Sequence, residues 1–262
     1  MLRATLCLLF AVLLMGQGLV VADKDHLTPP ITVSKSLNDF LIIENQDIKE
    51  TTSQSPASQS SAIKLYNVGN RFYNIGNYDK AIQAYSNATN QDPNLIEAWN
   101  NEANALLYDN RLNDALQAYD QVLILDNKSA HAWAVKGWIL IHKQNPQYGD
   151  ALDSLEKAIE LEPNTNNTAW YLNEMGNALY GLDRVTEALE AKSKSLDLNS
   201  NLWFTWYDTA EVLRSICIYS EALNAVNKAI ELNPPVKDAQ DAQHLKEDIL
   251  NKLDSQRYTG SS

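Results

Sequence analysis

Cysteine is nearly absent from this chain, with only Cys7 and Cys217 among 262 residues. A disulfide framework is therefore excluded, and once the N-terminal segment is removed Cys217 has no internal partner. Positive charge is also scarce. Lysine and arginine number 21 against 33 acidic residues, for a net charge of −12. Loss of Arg3 with a leader would take that to about −13. No Lys/Arg cluster occurs, and phosphate contacts dominate nucleic-acid affinity, so a nucleic-acid partner is not expected. An acidic surface likewise opposes adsorption to anionic lipid. Catalytic signatures are missing: there is no glycine-rich phosphate loop, no nucleophile elbow and no His-Glu zinc helix. His131 and His142 fall on one predicted helix, roughly 16 Å apart at about 1.5 Å per residue, too far to share a metal. The expectation is no enzyme, no metal and no cofactor.

What the chain has is a register of small residues recurring about every 34 positions, the mark of stacked helical hairpins. Gly69, Ala103, Gly137, Gly176 and Ala210 form one series. Ala81, Ala115, Ala151, Ala188 and Ala222 form a second, and Ala88, Val122, Ala158, Ser195 and Ala229 a third. Small side chains at the first two series let paired helices cross closely, where larger ones would force them apart. Leu65, Trp99, Trp133, Leu172 and Trp206 precede the first series by one helical turn, and Phe72, Leu106, Leu140, Leu179 and Leu213 follow it, giving one apolar face. Pro93, Pro163 and Pro234 end second helices, with Asn127 and Ser200 in the same place in the other repeats. Gly76-Asn77 makes the first interhelical turn.

The segment LYNVGNRFYNIGNYDKAIQAYSNATNQDP, Leu65 to Pro93, resembles the tetratricopeptide repeat (TPR) family in its order of Leu or aromatic, Gly, Tyr, Ala, aromatic, Ala and Pro. The resemblance implies an all-α fold: a right-handed superhelical solenoid of about five helix-turn-helix repeats plus a C-terminal capping helix. The repeats are placed at 62–95, 96–129, 130–165, 169–202 and 203–236. Extra residues around Asn145-Pro146 and the insertion Asn166-Asn167-Thr168 break the spacing and are expected to be loops.

Residues 1–22, with Arg3 before an uncharged run, are expected to be a signal peptide cleaved after Ala22, or a membrane anchor; Gln17, Gly16 and Gly18 favour the former. Either places the repeats outside the cytoplasm, secreted or attached to a membrane. Residues 23–61, with Pro29-Pro30 and a Ser/Thr/Gln run, are expected to be a flexible polar linker, interrupted by Phe40 to Ile43. Residues 237–262 are assigned to a capping helix, apolar at Ala242, Leu245, Ile249 and Leu253, and a tail frayed from Ser255. In an exported chain, Asn166 and Asn127 head sequons that would accept a glycan, with Asn166 preferred for its loop; Asn87, within a helix, is the poorest acceptor.

The family lines a concave groove with its first helices. Carried over position by position, the resemblance implies groove residues Tyr66, Asn67, Asn70, Asn101, Asn104, Tyr108, Trp138, Asn173, Asn177 and Tyr207. A carboxamide donates and accepts, so an asparagine ladder suits an extended peptide read through its backbone; ordinary solvated asparagine is the competing reading. The carboxylate clamp of TPR adaptors of heat-shock chaperones is not matched. Asn70 and Asn101 fit it, but Tyr66, His131 and Val135 replace its basic members, leaving no fixed positive charge. Glu174, Asp208 and Glu211 make an acidic end that would take a basic partner group or a hard cation, or is a solvated face. Trp138, Trp170 and Tyr207 would stack on apolar side chains or a sugar. The expected function is a scaffold or adaptor binding an extended peptide or partner helix. A self-assembling scaffold and a carbohydrate-binding module are the alternatives.

Overall fold

The computed structural model describes residues 56–259, and every regular element among them is a helix. The proposed leader (1–22) and residues 23–55 of the proposed linker lie outside the described residues. The chain clusters into two compact units, divided between Ala178 and Leu179.

The first unit holds α1 (Pro56–Asn74), α2 (Tyr78–Gln91), α3 (Ile96–Tyr108), α4 (Leu112–Leu125), α5 (Ala130–His142) and α6 (Tyr148–Leu161). They pack as consecutive hairpins, α1 on α2, α3 on α4 and α5 on α6, with α2 against α3 and α4 against α5. The division falls inside α7 (Asn166–Gly181). The second unit holds α8 (Val185–Leu198), α9 (Trp203–Ser215), α10 (Tyr219–Glu231) and α11 (Val236–Thr259). Here α9 pairs with α10, and α11 covers α10. Among the described residues no helix is long and apolar enough to cross a membrane.

The small residues do what their spacing implies. All three series are buried throughout. A Cβ on Gly69 would sit 2.4 Å from the Tyr85 ring, and one on Gly137 would sit 2.7 Å from Leu155 Cγ. Both are far inside van der Waals contact, so only glycine lets these helices approach. In the second unit Ala210, Ala222, Ala225 and Val226 join Ala242, Leu245 and Ile249 of α11 in one core, with Leu253 packed at its edge.

The turns repeat as well. Gly76, Asn110, Asp183 and Cys217 each adopt a positive φ between the two helices of a hairpin, at 74°, 59°, 60° and 62°. The hairpin of α5 and α6 differs, because its connection, residues 143–147, is longer by the two residues expected around Asn145-Pro146. It closes through Gln147 N–H donating to the Leu140 carbonyl at 2.9 Å.

Three boundaries depart from the sequence reading. Asn166-Asn167-Thr168 are not a loop but the first turn of α7. The Thr168 N–H donates to Thr165 Oγ1 at 3.2 Å, and the Thr165 N–H donates to Thr168 Oγ1 at 3.0 Å. That reciprocal capping arrangement satisfies the orphan donors that start a helix. Residues 56–61, assigned to the linker, belong to α1; proline is well suited to the first helical position. At the other end α11 runs on to Thr259, past Ser255.

Candidate binding face

The residue after the small position on the first helix of a hairpin faces the residue four after the alanine on the second. In the first two hairpins these are asparagine and tyrosine. The Tyr85 hydroxyl donates to Asn70 Oδ1 at 2.7 Å, and the Tyr119 hydroxyl donates to Asn104 Oδ1. Both tyrosine rings are fully buried, so each hydroxyl needs such an acceptor. Asn101 Nδ2 then donates to Asn70 Oδ1 at 2.9 Å and to the Tyr66 hydroxyl at 3.1 Å. Tyr66, Asn70, Asn101 and Tyr85 thus form one network spanning α1, α2 and α3. Burial is the main cause raising the hydroxyl pKa of Tyr66 and of Tyr85, which keeps both hydroxyls neutral.

The expected asparagine ladder is therefore not uniform. Asn67 is exposed, Asn70 and Asn101 are half-buried, and Asn104 is buried. Tyr108 is half-buried in an aromatic cluster. It stacks on Tyr78, with centroids 4.9 Å apart and planes at 12°, while Tyr73 meets both rings edge-on at 5.6 Å.

Toward α7 the first unit closes further. Trp138 is buried and stacks on His142 at 4.4 Å. Trp170 is buried beside Tyr171. His131 is buried near Tyr119, and burial pushes its pKa down to about 4, against the opposing field of Glu162. Asn173 and Glu174 are buried and Asn177 is half-buried. Both amides, on the same helix, donate to the Glu174 carboxylate, at 3.3 and 3.2 Å.

The remaining candidates, Tyr207, Asp208 and Glu211, lie half-buried on α9 in the second unit. Lys192 of α8 is fully buried and donates to Asp208 at 3.3 Å. Its position is the one that Tyr85, Tyr119, Leu155 and Val226 fill in other hairpins. Burial first, then the neighbouring Asp208, pushes the Glu211 pKa up to about 7, with Lys192 and Arg214 opposing. Burial also raises the Tyr207 hydroxyl. Asp208 thus already has an internal cation, and among the described residues no group of His, Cys, Asp and Glu is placed to hold a metal.

Of the sequon residues, Asn127 is exposed in the α4–α5 turn, and Asn166 is exposed on the first turn of α7. The loop that favoured Asn166 is not present. Sequence reasoning missed the tyrosine partners and Lys192. Their signal was there: Tyr85 and Tyr119 share one register position, and a lysine breaks that otherwise apolar or aromatic column.

Two sequence profiles match the chain: the TPR repeat over residues 69–107 and the tetratricopeptide repeat over residues 100–165. The TPR repeat-containing protein MJ1428 of Methanocaldococcus jannaschii is 25% identical over 171 residues, covering 59% of this chain. The match spans 29% of that relative's length. Among solved structures, MamA from Desulfovibrio magneticus RS-1, residue 41 to its end, superposes with a TM-score of 0.59 at 22% identity, covering 65% of this chain and 94% of that one. YrrB, described as a TPR protein with an unusual peptide-binding site, superposes with a TM-score of 0.55 at 19% identity, covering 70% and 92%. These likenesses are of fold.

Proposed function

The chain belongs to the tetratricopeptide-repeat family, and from that premise we propose that it is a non-catalytic adaptor that holds an extended segment of a protein partner along the first helices of its hairpins. Repeats of this family serve broadly as protein-interaction scaffolds. The observation that carries the finer reading is the Asn70–Asn101 pair. It is half-buried and bridges consecutive first helices, with its amides fixed by Tyr66 and Tyr85. Amides already held in place lose little freedom when a peptide backbone docks on them. Exposed Asn67 lies beside them on α1. We place the adaptor outside the cytoplasm, on the strength of Arg3 and the uncharged run that follows it. The burial of Trp138 and Trp170 weighs against a sugar-stacking role, since both are packed into the fold.

The test is capture in the native cell. The full chain is gently crosslinked and its companions identified beside an Asn67→Arg variant. Exposed Asn67 tolerates the change, which sets a bulky charge on the face. A partner present with the wild type and lost from an equally stable variant supports the reading. A partner recovered equally with both overturns the assignment of this face. Recovery of the chain alone from both favours self-assembly.

A further inference from the structure

At the turn end of the first two hairpins lies a shallow cleft of about 400 Å³, lined by Ile75, Gly76, Asn77, Tyr78, Asp79 and Asp109. From this we propose that the cleft is a docking point for an arginine side chain of a protein partner. Four features of the site converge on that chemistry. Asp79 is exposed and Asp109 half-buried, and neither is in an ion pair among the described residues. The cations nearest them in sequence are engaged elsewhere. Lys80 Nζ sits 5.4 Å from the Phe72 ring centroid, and Arg111 donates twice to Asp114, at 2.9 and 2.7 Å. Among the described residues, therefore, no basic side chain pairs with either carboxylate.

The backbone adds the same sign. Two helices end at the cleft, α1 at Asn74 and α3 at Tyr108 with Asp109 as its cap. The carbonyl ends of helices favour a cation. One helix, α2, begins there, but Asn77 Oδ1 already accepts from Lys80 N–H at 3.2 Å, and Asp79 sits in its first turn. The positive end of α2 is thus capped; at the ends of α1 and α3 the turn N–H groups bond back to the Phe72, Tyr73, Leu106 and Leu107 carbonyls, so these ends add only their residual dipole.

Shape then selects arginine over a simple metal cation. Two acids cannot by themselves supply the six or more oxygens that a hard cation requires. Ile75 is 74% exposed and offers apolar surface for the methylene stem. Tyr78 lines the wall and is held in place by its stack on Tyr108 and its edge contact with Tyr73. A planar guanidinium matches both a carboxylate and an aromatic wall, which an ammonium does less well.

The experiment titrates the ¹⁵N-labelled full chain with N-acetyl-L-argininamide, and in parallel with N-acetyl-L-citrullinamide, its neutral isostere. Arginine is expected to shift the amide resonances of Ile75 to Asp79 and of Asp109, and citrulline to leave them in place. The double variant Asp79→Asn/Asp109→Asn should weaken arginine binding by roughly tenfold, as for the loss of two exposed charge pairs. If the double variant melts early, Asp79→Asn alone, at an exposed site, should still weaken binding several-fold. Equal shifts from arginine and citrulline would overturn the proposal. So would shifts spread evenly over the acidic surface, or an unchanged titration of the variants. The titration needs no partner, so its outcome is independent of what the face around Asn67 captures.

Discussion

Replacing Asn104 with alanine takes away the acceptor of a tyrosine hydroxyl that is sealed in the core. The variant should lose about 1–3 kcal/mol, the usual range when a buried polar group loses its partner. Denaturant unfolding checks this, and adding Tyr119→Phe should recover part of the loss, because the stranded hydroxyl is then gone. Recovery in the double variant separates a hydrogen-bond effect from a cavity. Buried ionisable groups give a second residue-scale prediction. Burial pushes Glu102 up to about 7, although Thr89 Oγ1 donates to it. The folded chain therefore binds that proton more tightly than the unfolded chain, so this term lowers stability as pH rises from about 4.5 through 7. His131, pushed down to about 4, has the opposite sign: its contribution grows as pH rises from about 4 to 6.5. The two offset each other over much of the acid range. Glu102→Gln should leave the histidine term exposed, so stability rises more steeply with pH than in the wild type. By pH 7.5 the variant should gain on the order of 1 kcal/mol relative to its comparison at pH 4.5. Parallel melts across that range read the difference, and identical pH slopes would refute it.

At the scale of the helix and its turn, one device recurs. The indole N–H of Trp99, Trp133 and Trp206 donates to the carbonyl of Pro93, Asn127 and Ser200, at 2.9, 3.0 and 2.9 Å. Each ties the first helix of a hairpin to the turn that leads into it. The same turns use a side-chain acceptor: Asp92, Asp126 and Asn199 accept from the N–H two residues on, at 3.1, 2.9 and 3.0 Å. Within the hairpins the left-handed position is met by different residues at different cost. Glycine takes it freely at Gly76, whereas Cys217 carries a Cβ there at φ 62°. Cys217→Gly should therefore stabilise the second unit by about 0.5–1 kcal/mol, visible as a higher melting temperature. Cys217→Ala, which keeps the Cβ, should not. The helices themselves were legible from the sequence, because Gly69 and Ala81 or Gly137 and Ala151 must be small for two cylinders to meet. Thr165 and Thr168 were not, since their capping bond needs only two hydroxyls and imitates an insertion in the repeat spacing. The asparagines were half legible. Their register was correct, but a polar side chain on a first helix looks the same in sequence whether it faces solvent or a tyrosine from the second.

For the molecule as a whole, repeats that touch only their neighbours make stability local. The last hairpin depends on what covers it. Ala242, Leu245 and Ile249 of α11 close the core formed with Ala210, Ala222, Ala225 and Val226, and Trp206, Tyr207 and Leu223 pack at its margin. Ending the chain at Leu232 would expose that apolar face of α10 to water, at about 25 cal/mol per Å² of apolar surface uncovered. The cost should fall on the adjacent elements first. Amide hydrogen exchange is expected to quicken in α9 and α10, while α1 to α4 keep their protection, as nearest-neighbour stabilisation of repeats implies. The truncated chain should also tend to associate through the uncovered face, as solenoids do without a polar cap, and its mass in light scattering should rise with concentration. Uniform loss of protection across all helices would mean instead that the array unfolds as one cooperative body, and that α11 sustains the whole fold rather than its last hairpin.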